Sequence, residues 1–332
     1  MMGMAAPGTT GHFWARLRAR VLGVAPQEAL FSYRGFSPAA SARQAALEHI
    51  GSTFLEGYNC AVRTCDMEAV AGAARAFDTQ DCGFFFEGAA MGFAILDILA
   101  PRRLQLFAQF IRGVGRPHIY MAYVGAGLAF ARTSQRLQWR LGPLDPMLAP
   151  LMVDGFGFHA GYFHHRWSVE CQARPRGLRT GDYASFDQGL GRAIWFVAGA
   201  DVERAAAMVH AFQEQRWPDL WSGVGLAATY AGSVEAGMIT QLRQNARALW
   251  AHVAQGSAFA VTARARAATP AAHSDMACNI LCRSGSSVVV RMVNAARMRV
   301  LSRRIPSQSA YEAWRAEVRH ELVLLTRQGV CA

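Results

Sequence analysis

The chain has 332 residues, 52% hydrophobic and only 17% charged, which excludes a disordered tail or a low-complexity linker. All 34 basic residues are Arg, so Schiff-base lysines and lysine-bearing phosphate loops are excluded as well. The formal charge of +11 favours anionic partners: acidic groups, nucleic acid or a membrane surface.

Residues 1–11 read as disordered. A basic helix follows, with Phe13, Leu17 and Val21 among Arg16, Arg18 and Arg20. No apolar run stands behind these arginines, so the N-terminus does not read as a signal peptide. Tyr33-Arg-Gly-Phe-Ser-Pro38 reads as a loop.

From here one pattern recurs: a polar residue, then Gly, then small and apolar residues. It stands clearest at Asp154-Gly155-Phe-Gly157, Gln188-Gly189-Leu-Gly191 and Ser222-Gly223-Val-Gly225, whose first glycines are 34 residues apart. Gln255-Gly256 follows 33 residues later. Looser copies stand upstream at Glu56-Gly57, Glu87-Gly88 and Val124-Gly125-Ala-Gly127. A fixed period of this size marks stacked supersecondary units.

Each unit reads as two helices. In the copy at Gly189 the first carries Leu190, Ala193, Ile194 and Val197. Gly199-Ala-Asp201 breaks the chain, with Asp201 as the N-cap of the second helix. That helix has its stripe on Ala205, Met208, Val209 and Phe212, and Pro218 closes the unit. Gly232 and Pro101 supply the breaks in two other copies. Glycine costs about 1 kcal/mol in a helix against Ala, and close approach of neighbouring helices is the compensation. The expected fold is therefore all-α, with helix-pair repeats of about 34 residues forming an α/α toroid or an α-solenoid. The segments are 1–55 as a basic N-terminal cap, 56–282 as the repeat domain and 283–332 as a C-terminal cap. The cap includes a helix from about Ser309 to Arg327. The polar residue before each Gly is expected at a helix start, ringing the mouth of a cavity if the array closes.

Charge-free stretches reach only 15 or 16 residues, short of the roughly 18 a membrane span needs, and Glu87 and Asp97 break the apolar run from Phe84 to Leu99. The seven cysteines (Cys60, Cys65, Cys82, Cys171, Cys278, Cys282, Cys331) are odd in number and scattered. They read as reduced thiols and a cytoplasmic protein, with a peripheral place at a membrane left open. Cys278 and Cys282 are one helical turn apart and read as small buried side chains. A zinc site would need two further soft ligands, and no metal is expected.

The densest polar cluster runs from Asp154 through His159 and Tyr162 to His164-His165-Arg166. A carboxylate and imidazoles at one cavity mouth could relay protons, or one imidazole could be a hydrogen-bonded core residue. Glu87, between Phe84-Phe-Phe86 and a glycine-rich run, would have a raised pKa if buried, or would cap a helix. The candidate catalytic residues are thus Glu87, Asp154, His159 and Tyr162, with no cofactor indicated. No dinucleotide fingerprint, Ser elbow or diphosphate motif occurs. The aromatic residues are not interleaved with Arg as a nucleic-acid platform requires, so no nucleic-acid partner is expected.

Tyr33-Arg-Gly-Phe36, Phe54-Leu-Glu-Gly-Tyr-Asn59, Glu87-Gly-Ala-Ala-Met-Gly92, Asp154-Gly-Phe-Gly-Phe-His159 and Gly189-Leu-Gly-Arg-Ala-Ile-Trp-Phe196 carry a further signal. Over about residues 30–285 the chain resembles an uncharacterised family encoded beside iterative polyketide synthases in bacterial enediyne gene clusters. The resemblance implies a role after polyketide assembly, as an enzyme or enzyme subunit processing a long apolar polyene or polyyne. It assigns no residue. The partners it implies are that small molecule and other proteins of the cluster, a membrane protein among them. The alternative is a non-catalytic helical-repeat scaffold, its Arg excess docking an acidic carrier or redox partner.

Overall fold

The structure, a computed structural model, describes residues 9–100, 104–133, 144–303 and 307–328. Pro101, Cys331 and residues 1–8 of the stretch expected to be disordered lie outside these. Thr9 already opens a helix. In chain order the helices are α1 (Thr9–Leu22), α2 (Phe31–Arg34), α3 (Ser41–Thr64), α4 (Met67–Ala74), α5 (Cys82–Leu99), α6 (Leu106–Arg112), α7 (Ile119–Arg132) and α8 (Pro150–Phe163). Then come α9 (Tyr183–Val197), α10 (Val202–His210), α11 (Trp217–Tyr230), α12 (Ala236–Asn245), α13 (Trp250–Ala267), α14 (Ala272–Cys282), α15 (Ser286–Ser302) and α16 (Ser307–Gln328). No strand occurs among the described residues, and the protein is all-α.

The copies of the repeat are the inner helices. α3, α5, α7, α8, α9, α11 and α13 pack in that order, each against the next. The glycines explain how. A Cβ on Gly189 of α9 would overlap the Asp154 carbonyl oxygen of α8, and one on Gly191 would overlap the Leu220 carbonyl oxygen of α11. The first glycine of each pair thus lets the preceding helix in, and the second lets in the following one. Backbone contact along both faces of a helix offsets the propensity cost of its glycines.

The second helices of the units, α10, α12 and α14, pack in turn on one another outside this row. Gly199 and Gly232 end their inner helices at φ of 66° and 68°, where a side chain would be strained. Asp201 caps α10 by accepting from the Arg204 amide at 3.0 Å. The pairing is not uniform: α8 is followed by a single π-helical turn, Arg166–Glu170. Pro218 opens α11 rather than closing the unit before it, as Pro150 opens α8. Proline's fixed φ and missing N–H suit the first helical turn, where that N–H has no partner.

Contacts link the first half of the row to the last. Phe84 at the start of α5 meets Tyr230 of α11 edge-on, ring centroids 5.2 Å apart. Arg264 of α13 donates to the carbonyl oxygens of Gln80 at 2.9 Å and Tyr230 at 2.6 Å. The C-terminal segment does more than cap the row. Trp314 of α16 lies 4.5 Å from Phe259 of α13 and 6.4 Å from Tyr120 of α7, ring to ring. Its indole N–H is held by the Val293 carbonyl of α15 at 3.0 Å. Nor do residues 55 and 56 separate a cap from the repeats, since α3 runs through both.

α5 has the length and apolarity of a membrane span, but 89% of it is buried inside the fold. Its two acids are accommodated there. Asp97 accepts from the amides of Leu106 and Phe107, both at 2.9 Å, and so satisfies the start of α6. The six described cysteines are unpaired.

Candidate functional site

The residue before the first glycine lies in the second turn of its inner helix, not at its start, in every copy but that of α3, where Glu56 is exposed and far along the helix. Phe84 to Phe86 and Leu151 to Val153 are already helical, which places Glu87 and Asp154 on interior faces, and neither caps a helix. Val124 fills the position apolarly in α7. In α8, α9, α11 and α13 the polar residues find one another. Asp154 accepts from Arg192 Nη1 at 2.6 Å and from Gln188 Nε2 at 2.7 Å. Gln188 Nε2 also donates to the Tyr311 hydroxyl of α16 at 3.0 Å. Ser222 lies 3.3 Å from Gln188 Oε1 and 3.0 Å from Gln255 Oε1. Gln255 Oε1 accepts from Arg315 Nε at 3.2 Å, and Arg315 pairs with Asp219 at 2.8 Å. Every link joins two helices, so the seam ties α8, α9, α11, α13 and α16 together.

Glu87 joins at one end, with Oε1 3.5 Å from Arg192 Nη2. Glu87, Asp154 and Arg192 are 3%, 1% and 6% exposed, so two carboxylates share one guanidinium out of water. Isolated buried charge is costly, and three charges of net −1 are worse than a neutral set. Glu87 is the less tightly held of the two acids, 3.5 Å from the guanidinium against 2.6 Å for Asp154. Burial pushes the Glu87 carboxyl up to about 7, with Asp154 adding to the rise and Arg192 opposing it. For Arg192 itself, burial works against the cation, but the two carboxylates outweigh it and the net direction is upward.

These three residues form part of the wall of a cavity of about 100 Å³. The rest of the lining is almost wholly apolar. Phe158, Tyr162, Phe163 and Phe196 form one aromatic group, with Tyr162 5.6 Å from Phe158 and 6.1 Å from Phe196. Phe259, Tyr311 and Trp314 form another, and Phe84 with Tyr230 a third. Such a surface offers water few partners beside the Glu87 carboxyl.

The sequence-derived candidates therefore divide. Glu87 and Asp154 come together, although the first is on α5 and the second on α8. Tyr162 lines the same cavity, its hydroxyl pushed up to about 12 chiefly by burial. His159 does not join them. It lies against the rings of Phe163 and His164, at 4.6 and 5.7 Å, and burial pushes its pKa down to about 3. His165 lies beyond the end of α8 and reaches Tyr162 only through Phe36, ring to ring at 5.3 and 5.1 Å. Among the described residues no three His, Cys, Asp or Glu side chains converge as a metal-holding group. Arg192, Tyr311 and Tyr230 belong to the site and are not among the sequence candidates. For Arg192 a signal existed: it is the one charge inside Gly189-Leu-Gly-Arg-Ala-Ile-Trp-Phe196, and a lone Arg in an apolar helix needs a buried acid.

Fold and site together define an all-helical protein with an apolar cavity and a buried ionic triad in its wall. The chain belongs to the family described as "Protein of unknown function (DUF1702)", whose model matches residues 13–322. No curated protein and no solved structure matches it.

Proposed function

We propose that the chain binds a long, apolar, conjugated molecule in this cavity and moves a proton on it through Glu87. The observation that carries this reading is the joining of an aromatic cavity to a buried carboxyl with a pKa of about 7. A general acid or base works best when its pKa is near the working pH, and an apolar wall is the usual way to bring a glutamate there. Arg192 and Asp154 position the carboxyl and supply compensating charge, and Tyr162 shapes the apolar wall. In this reading the inner row is a toroid closed around the ligand. The contacts of Phe84 with Tyr230 and of Arg264 with Gln80 favour it over an open solenoid.

The biological ligand in this proposal is a polyene or polyyne made by an enediyne-type polyketide synthase, as the family resemblance implies. An aromatic-lined cavity suits such a chain, and it gives the enzyme reading the advantage over a scaffold, which needs no cavity.

Titrating the purified protein with a linear all-trans polyene tests the binding. Trp314 in the lining reports occupancy by quenching of its emission. Saturable quenching is expected. Ala227→Trp, which fills the cavity, should abolish it while the helical circular dichroism spectrum is kept. Unsaturable quenching, equal in both proteins, would overturn the reading. Deleting the gene and following polyene products by mass spectrometry tests the biosynthetic part: unprocessed polyene should accumulate, and an unchanged product profile would contradict it.

A further inference from the structure

The N-terminal segment has two sides, and the cavity uses one of them. After α1 the chain makes a short 3₁₀ turn, Pro26–Ala29, and then α2. This stretch is laid antiparallel along α3. Arg18 donates to the Val62 and Arg63 carbonyl oxygens, both at 3.0 Å, and the Tyr58 hydroxyl donates to the Leu22 carbonyl at 2.7 Å. The Phe31 amide donates to Glu48 Oε1 at 2.8 Å. From Val62 back to Glu48 is about four helical turns, roughly 21 Å. On the inner side of the segment Glu28 and Ala29 line the cavity.

The outer side is left in water although much of it is apolar. Leu17 and Val21, one turn apart on α1, are 39% and 68% exposed. Leu30 and Tyr33 continue the flank at 40% and 56%. Trp167, 44% exposed, stands where the turn after α8 meets the end of α2, with Phe36 and His165 5.3 Å apart, ring to ring. Along α1 the charge is of one sign. The helix holds Arg16, Arg18 and Arg20 and no acid, and Arg16 and Arg20 are exposed beside Leu17 and Val21. From α1 through α2 there are four Arg against one Glu, and that residue, Glu28, is ion-paired with Arg34.

An apolar strip edged by arginine, with Tyr and Trp along it, has the chemistry of a lipid interface. Leu and Val enter the acyl boundary, aromatic rings settle at headgroup level, and guanidinium groups meet anionic phosphates. An acidic protein would use the arginines and leave the apolar strip in water. We infer that the outer side of this segment is a docking face for an anionic lipid membrane. The inference goes beyond the proposed function and does not depend on it. One consequence does rest on that function: an apolar ligand dissolved in the bilayer would meet the protein at the segment whose inner side lines the cavity.

Co-sedimentation with vesicles tests the face, using phosphatidylcholine alone and an equimolar mixture with phosphatidylglycerol. The wild type is expected to bind the mixed vesicles at least about tenfold tighter, and to lose that margin in high salt. Leu17→Ser with Val21→Ser should weaken binding to the mixed vesicles about tenfold or more. Arg16→Ser with Arg20→Ser should weaken it roughly 10- to 30-fold and leave binding to phosphatidylcholine alone within about twofold. The control is a face of similar chemistry elsewhere. Arg291 and Met298 are exposed on α15, which packs on α13, α14 and α16. Arg291→Ser with Met298→Ser should change binding by less than about twofold.

Equal losses from the two faces would mean that the net charge of +11 alone drives binding, and would overturn the inference. No preference for the mixed vesicles would overturn it too. Self-association without vesicles, abolished by Leu17→Ser with Val21→Ser, would assign the face to a second copy of the chain instead. A separate measurement decides the matter even if the α1 variants do not fold. Brominated phosphatidylcholine in the mixed vesicles should quench emission that Trp167→Phe lacks, and no such quenching would leave this face in water and contradict the inference.

Discussion

Helix α8 carries two buried polar groups five residues apart, and their surroundings are opposite. Asp154 is met by Arg192 and Gln188 of the next helix at 2.6 and 2.7 Å and stands in the cavity wall. His159 is met by rings, and burial drives its pKa down to about 3. The first remains within an ionic set, while the second is held neutral. Position in the repeat makes the difference. Asp154 precedes a glycine at which α8 and its neighbour touch backbone to backbone, so side chains from other helices are within reach. A residue five positions further along is turned roughly 140° around the helix and meets different neighbours.

The largest expected effect comes from removing the cation from the partnered region. Arg192→Met should leave Asp154 without its countercharge and cost about 3–5 kcal/mol in denaturant unfolding at neutral pH. His159→Phe at the same pH should cost far less, because a neutral imidazole is replaced by an apolar ring. Equal losses from the two variants would break the contrast between the regions.

Next in size is the pH dependence due to Glu87. Its carboxyl rises from an ordinary 4.5 to about 7 in the folded protein. A raised pKa means that the folded state favours the protonated form. The contribution is therefore fully present below about pH 4.5 and is lost as pH rises through about 7. Glu87→Gln removes this dependence. Relative to the wild type, the variant should gain up to roughly 3 kcal/mol between about pH 4.5 and 8. Unfolding curves that stay parallel across this range would show that Glu87 is ionised throughout.

The unpartnered region has the opposite limb. His159 is lowered from 6.5 to about 3 by burial, so its contribution is complete above about pH 6.5 and is lost as pH falls toward 3. His118, lowered to about 4, and His252, lowered to about 3, act in the same direction. His159→Phe should therefore lessen the acid loss without abolishing it, by roughly 2 kcal/mol at about pH 5. Thermal melting at stepped pH checks both limbs, and an unchanged acid limb would place the imidazole in water.

Much of this was legible along the chain. The glycine pairs at 155, 189 and 223 identify the inner helices, because only close backbone packing explains such residues at a fixed period. Glu87 and Asp154 could be picked out because each interrupts an apolar run. Other parts were not legible, for reasons of distance and rotation. Tyr311 meets Gln188 across 123 residues of sequence, and no local pattern announces that a C-terminal helix packs against α13 and reaches α9. The helix-start reading failed because the residues before each polar position are themselves helical, which needs the true helix boundary to see. The histidines clustered with Asp154 in sequence because one dimension records proximity and not direction.

The most direct measurement is the titration of Glu87 itself, by NMR of protein labelled with 13C in the glutamate carboxyl groups and assigned with Glu87→Gln. One glutamate resonance should titrate near pH 7, as burial in the cavity wall requires, and should shift when the polyene fills the cavity. If every glutamate titrates below about pH 5, as exposed carboxyls do, and none responds to the polyene, the buried acid at an apolar cavity is contradicted.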